Sequence, residues 1–344
     1  MEHFTLKNIA EAFFPGKNVA QCTPLTSGLI NETWRLDLAD DGGAFLLQKI
    51  NTRIFPDARG LMQNHVAVAA HLQKKSDFSL FVPTPVATPQ GEYCVDDWRV
   101  MPFLENTYTP AHLPTAEEAY EAARAYGLFL RALADLPMAN WHHPLPGFHN
   151  TTRRYERFEA AVARDPLGRC REVNPEIHQL QAARMYYHLV ESLLEKNILP
   201  QYAVHNDTKA GNVLLYWGTG KAAAVIDWDT IMPGTPLSDY GDMVRTFVSN
   251  CYEDAPVDEL ALRKDVWDAL DTGFLAATAD FLSDVERYLL PFGALWIVGE
   301  QALRFLTDYI EGDVYYKTDY PTHNLVRARN QLALLRELRA FYRL

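Results

Sequence analysis

Hydrophobic and polar positions change period once along this chain, near residue 105. Before it, Leu6 to Phe14 carries a short amphipathic helical stripe, and strand-like patterns follow. Residues 22–36 read as strand, turn and strand, with the turn at Ser27-Gly28. Asp40-Asp41-Gly42-Gly43 signals a hairpin, since such residues tolerate the positive φ of a tight turn. Ala44 to Ile50 is the next strand and carries Lys49 near its end. Pro56-Asp57 opens a helix to about Lys74, with Leu61, Met62, Val66, Val68, Ala69 and Leu72 apolar. Phe81 to Val86 is extended and broken by prolines, and Tyr93 to Val95 and Arg99 to Phe103 predict two further strands.

After Glu105 helical spacing dominates. Ala116 to Leu136 is amphipathic, with Tyr126, Leu130 and Leu133 on one face. A loop rich in His, Pro and Gly runs from Pro137 to Asn150. Helices are predicted over Thr152 to Ala163 and Pro175 to Lys196, and again from Val257 to the C-terminus. The pattern therefore predicts an α+β chain of two lobes: residues 1–104 with a small antiparallel sheet, and residues 105–344 mainly helical. There are no repeats and no low-complexity linker.

Composition narrows the classes. With 48% hydrophobic and 22% charged residues, the 344-residue chain is ordinary globular material, long enough for a sizeable core. A formal net charge of −12 argues against a general nucleic-acid binder, which needs a basic face. The four cysteines, at 22, 94, 170 and 251, are scattered, with no CxxC pair. Four free thiols, an N-terminus without a signal-peptide pattern and no apolar run of about 18 residues lead us to expect a cytoplasmic protein that is not membrane-bound. A monomer is the default expectation, which no sequence feature decides.

The chemistry concentrates in His205-Asn206-Asp207-Thr208-Lys209-Ala210-Gly211-Asn212 and in Val225-Ile226-Asp227-Trp228-Asp229. Asp207, Asn212 and Asp227 occur in the order and spacing of a phosphoryl-transfer loop. Asp207 is placed to take the proton of an acceptor hydroxyl, while Asn212 and Asp227 are oxygen donors for a metal that bridges nucleotide phosphates. His205 would brace the loop, and Asp229 is either a metal contact or an outer support. Taken singly, an Asp or Asn in a loop is usually a turn former or cap; the ordered set carries the reading. Lys49 would pair with the α- and β-phosphates, against the commoner fate of a solvated strand-edge lysine. Ser27 and Gly28 could cover the phosphates or form an ordinary hairpin turn.

These residues resemble the aminoglycoside phosphotransferase and choline kinase group, which shares the protein-kinase-like fold. Over nearly the whole chain the likeness is nearest to the group's N-acetylhexosamine 1-kinases. It extends through Gly28 to Thr33, Leu47 to Asn51, Pro146 to His149, His205 to Lys209, Ile226 to Gly234, Arg304 to Tyr309, Gly312-Asp313, Tyr315 to Lys317 and His323 to Leu325. It implies an ATP- and Mg2+-dependent kinase forming a sugar 1-phosphate. The nucleotide would lie against the connection from Met101 to Leu104, with the sugar beside Asp207. His149, Arg304, Tyr315 and Tyr316 are the sugar-binding candidates. Their blander readings are a loop-bracing histidine, an Arg304–Asp308 ion pair at i+4 and core tyrosines.

Two positions depart from the family pattern. The helix after Pro56 holds no glutamate, the partner of the strand lysine in protein kinases; Gln63 and Asn64 are the nearest polar residues, so Gln63 partners Lys49 more weakly or the lysine is held another way. Asn150 stands after His149, where an acidic residue is expected. A kinase of an amino alcohol, homoserine or an aminoglycoside is the alternative. A pseudokinase would lack Asp207 or Asp227, and the short, proline-marked run from Asp227 to Asp239 leaves little room for a peptide-binding segment.

Overall fold

The computed structural model describes residues 2–25, 30–39 and 42–344. Ser27-Gly28 and Asp40-Asp41 thus lie outside the described residues. The fold is two-lobed, with a small antiparallel sheet followed by a helical lobe. Helix α1 (Glu2–Phe13) precedes strands β1 (Val19–Leu25), β2 (Glu32–Leu38) and β3 (Ala44–Lys49); helix α2 (Ala58–Leu72) and strand β4 (Trp98–Pro102) follow. The sheet order is β1-β2-β3-β4, antiparallel throughout.

Strand alternation divides its side chains between two cores. Trp34, Leu36, Leu47, Trp98 and Val100 pack under Leu6, Ile9 and Phe13 of α1. On the opposite face Met101 packs with Ile50, Phe55, and Leu61 and Met62 of α2. Tyr93 to Val95 does not form the expected strand: Asp96 and Asp97 both take positive φ in a tight turn, leaving only an isolated bridge from Val95 to Trp98.

The large lobe begins with the short strand β5 (Thr107–Tyr108) and helix α3 (Ala116–Leu133). A reciprocal capping box starts α3: Thr115 accepts from the Glu118 N–H, and Glu118 accepts from the Thr115 N–H. Helices α4 (Thr151–Arg164), α5 (Asn174–Ala182) and α6 (Arg184–Glu195) come next; the single helix expected over 175–196 breaks at Ala183. Strands β6 (Tyr202–Val204), β7 (Val213–Tyr216), β8 (Ala222–Val225) and β9 (Met232–Gly234) then alternate with the loops of interest. Helices α7 (Pro236–Phe247), α8 (Lys264–Thr278), α9 (Asp284–Glu311) and α10 (His323–Tyr342) complete the lobe.

Helix α9 is long and apolar enough to cross a membrane by length and composition, yet 72% of its most apolar window is buried against the rest of the lobe. It is the core helix. Helix α7 crosses it at Gly241 and Gly293, where a Cβ on either glycine would collide with the other helix's backbone. This close approach seats α7 beneath the loop that follows β6.

Candidate active site

Two strand pairings bring the phosphoryl-transfer candidates together. β6 pairs with β9, Val204 opposite Met232, so residues 205–212 and 226–231 lie side by side. β7 pairs with β8, Val213 opposite Val225, and the Ile226 N–H donates to the Asn212 carbonyl at 2.9 Å. Asn206 and Asp227 both adopt left-handed φ, 63° and 62°, a region Asn and Asp tolerate better than most residues. The loop is braced from below. Asp239 of α7 accepts the N–H groups of His205 (2.9 Å) and Asn206 (2.8 Å), and Asp242 accepts that of Thr208 (2.9 Å). Buried His205 adds a bond from its ring to the Ile226 carbonyl at 2.9 Å.

Asp207 is held at one oxygen only. Its Oδ2 accepts from Lys209 Nζ at 2.6 Å and Asn212 Nδ2 at 2.8 Å, while Oδ1 has no donor among the described residues. Burial works to raise its pKa, but Lys209, His205 and Asn212 hold it below the usual aspartate value, so Asp207 is a carboxylate at neutral pH. Asp227 is the opposite case. Burial first, then the Asp229 and Asp207 carboxylates, push it up to about 6. Its carboxylate makes no hydrogen bond among the described residues.

One expectation needs correction, and two alternatives left open by the sequence close. Lys49 shares the face of Leu47 and lies over the Trp98 ring at 5.9 Å, so it points away from the face that meets the large lobe. The residues on the facing side are Gln48 and Arg99, joined by Arg99 Nε donating to Gln48 Oε1 at 3.0 Å. Gln63 does not partner Lys49; it bonds His142 at 2.7 Å. Asp229 takes four donors from the small lobe, which favours the second of its two readings, an outer support. Arg99 binds it through both terminal nitrogens (2.5 and 3.0 Å), His65 of α2 at 2.9 Å and Asn31 at 2.8 Å. The helix that lacks a glutamate supplies a histidine, and its partner lies in the other lobe. Met101 is buried in the inner core of the small lobe, and half-buried Leu104 accepts from Thr107 Oγ1 through its carbonyl at 2.7 Å.

The four sugar candidates do assemble. The Arg304 guanidinium sits 5.7, 5.9 and 5.5 Å from the ring centres of Phe148, Tyr315 and Tyr316. It bonds Gln301 at 3.0 Å, not Asp308. Asp308 instead accepts three successive N–H groups, from Val314, Tyr315 and Tyr316, and thereby fixes both tyrosines beside Arg304. His149 bonds buried Glu300 at 2.9 Å. Burial alone would raise Glu300, but His149, Arg154 and Arg304 bring it down to about 2. Asn150 caps α4 by accepting from the Arg153 N–H at 2.8 Å. A cavity of about 210 Å3 runs from Asn206 and Gly234, beside the Asp207 loop, to His149, Glu191, Leu194 and Trp296.

This arrangement has relatives. Residues 21–288 match the model of the phosphotransferase enzyme family. The chain belongs to that family. Among solved structures, the phosphotransferase is similar to a microcompartment-associated aminopropanol kinase, at 16% identity and TM-score 0.66, covering 99% of this chain and 98% of that one. It is also similar to choline kinase from Cryptosporidium parvum Iowa II (13%, 0.62, 99% and 97%) and to an aminoglycoside phosphotransferase from Alicyclobacillus acidocaldarius (15%, 0.60, 94% and 93%).

Sequence reasoning passed over several groups that the phosphotransferase brings into the site. Lys209 was legible from its offset of two from Asp207. Arg99, His65, Asp239, Glu191 and Glu300 carried no local signal. Among the described residues, no three His, Cys, Asp or Glu side chains gather as a metal cluster. Mg2+ needs only one or two carboxylates beside substrate oxygens, and Asp227 with the Asn212 amide oxygen fits that demand. The raised pKa of Asp227 has a consequence. Below about pH 6 the carboxyl is protonated and a proton competes with the metal; above it the carboxylate is free. Apparent Mg2+ affinity should therefore strengthen as pH rises through about 6. Mg2+ titrations of nucleotide binding at several pH values measure this, and a flat profile from pH 5 to pH 7, on the order of one unit either side of that value, would sink the assignment.

Proposed function

We propose that this phosphotransferase is an ATP- and Mg2+-dependent kinase that places a phosphoryl group on the anomeric hydroxyl of an N-acetylhexosamine. The observation that carries the acceptor assignment is the Arg304 frame. Aromatic cages bind quaternary ammonium ligands through their ring faces. Here Arg304 itself occupies the space among Phe148, Tyr315 and Tyr316, so the frame repels a cationic acceptor. A guanidinium fork beside rings and a histidine suits a neutral polyol, whose hydroxyls take the donors and whose C–H faces meet the rings. The apolar walls of the cavity, Val190, Leu194 and Trp296, suit an acetamido methyl.

In this reading Asp207 Oδ1, free of protein donors among the described residues, takes the proton of the attacking hydroxyl. Asn212 and Asp227 would hold Mg2+, which when bound would neutralise charge on the phosphates. Lys209, 2.6 Å from Asp207, is placed to follow charge onto the transferred group. One observation favours a second reading, an amino-alcohol kinase. Glu191 lines the cavity, and burial pushes it up to about 7. A substrate ammonium would pair with it and draw it back to a carboxylate.

A coupled ADP-release assay decides between them, using N-acetylglucosamine, N-acetylgalactosamine, glucose, choline, ethanolamine, homoserine and kanamycin. We expect turnover with the N-acetylhexosamines and none with their 1-O-methyl glycosides. Turnover confined to the amines would transfer the assignment to the second reading.

A further inference from the structure

The buried grip on Asp229 joins the lobes at one carboxylate. Asp229 is 2% exposed, and both its oxygens are saturated by three residues of the small lobe. These come from separate elements: Asn31 just before β2, His65 in α2 and Arg99 in β4. The grip is itself supported. Asn31 Oδ1 accepts the Asn51 N–H at 3.0 Å, and Gln48 Oε1 accepts from Arg99 Nε at 3.0 Å. Two residues upstream lies Asp227, whose own carboxylate has no partner among the described residues. Its position is set by its neighbours. On one side Ile226 bonds the Asn212 carbonyl in the large lobe. On the other, Trp228 is buried, with its indole N–H on the Val225 carbonyl at 2.9 Å and its ring 5.8 Å from that of His65.

We propose that Asn31, His65 and Arg99 are positioning residues for the metal–nucleotide site: by holding Asp229 they hold Asp227, so the metal donor is in place only when the small lobe is docked. In protein kinases the strand lysine and the helix glutamate pair within the small lobe. Here the strand supplies Arg99, the helix supplies His65, and the acid is in the large lobe. Metal-dependent nucleotide binding and lobe docking then become one linked equilibrium. The inference rests on the reading of Asp227 as the metal donor.

The test is calorimetric binding of ADP with and without Mg2+ to the full-length protein and to Asn31→Ala, Arg99→Lys and Asp227→Ala variants. Thermal unfolding verifies that each is folded. Arg99→Lys keeps the charge but cannot span both carboxylate oxygens. Asn31→Ala removes one donor to Asp229 and the acceptor of the Asn51 N–H at a half-buried residue, so it remains informative if Arg99→Lys fails to fold. We expect affinity with Mg2+ to fall by roughly an order of magnitude, the scale of one charge-assisted hydrogen bond, with Mg2+-free affinity nearly unchanged. An equal change with and without Mg2+, or no change in a folded variant, overturns the proposal. The Asp227→Ala variant separates the two claims. If it retains the full Mg2+ effect, the metal reading fails; if it loses that effect and the grip variants do not, the positioning inference fails.

Discussion

Asp207→Asn should lower turnover by roughly a thousandfold, within the usual range for loss of a general base, while nucleotide affinity stays nearly constant. The substitution is close to isosteric, so it tests chemistry rather than shape. Asp207 is charged at neutral pH because Lys209, His205 and Asn212 outweigh its burial. An asparagine amide can sit in the same place, but it cannot take up the proton of the acceptor. Of the two carboxylate oxygens, Lys209 and Asn212 contact only Oδ2, and Asn212 also bonds the Asp207 carbonyl, so the change removes a base without opening the fold. Single-turnover kinetics with ADP binding measured in parallel distinguish the two effects. A variant that turns over at the parent rate would remove Asp207 from the mechanism.

Asp239→Ala should produce a large loss of stability. The carboxylate is 2% exposed and accepts two loop N–H groups at 2.9 and 2.8 Å. Each orphaned buried amide costs about 1–3 kcal/mol. Removing a buried carboxylate returns part of this, since burial also raises the Asp239 pKa and nearby Asp242 repels it. The amides outnumber that relief, and the net cost should be about 2–4 kcal/mol. It should appear as a lower urea midpoint. Asn206, in left-handed geometry, loses one of its anchors, so kcat should fall as well. An unchanged midpoint would mean that the loop holds its shape without α7. Asp239→Asn keeps one acceptor oxygen but turns an NH2 toward a donor, and should lie between the two.

The chain's own order determined a good deal. The small sheet, the switch to helices after Glu105 and the spacing of Asp207, Asn212 and Asp227 are local properties, written in period and offset. The sequence also singled out His149, Arg304, Tyr315 and Tyr316 as acceptor-site candidates, but gave no sign of what gathers them, Glu300 and the turn held by Asp308. Tertiary structure decided the rest. Adjacent strand residues face opposite ways, so one step of pairing register sends Lys49 to the Trp98 side and leaves Gln48 and Arg99 on the inner face. Asp229 looked like a neighbour of the metal site until residues 31, 65 and 99 closed on it, from more than a hundred positions away in sequence. Asp239 reads as one more acid in a helix, and only the close crossing of α7 and α9 at Gly241 and Gly293 places it under the loop. Periodicity and spacing report what a residue does with its near neighbours. A buried charge finds its partner wherever the fold brings a donor, and no local pattern records that meeting.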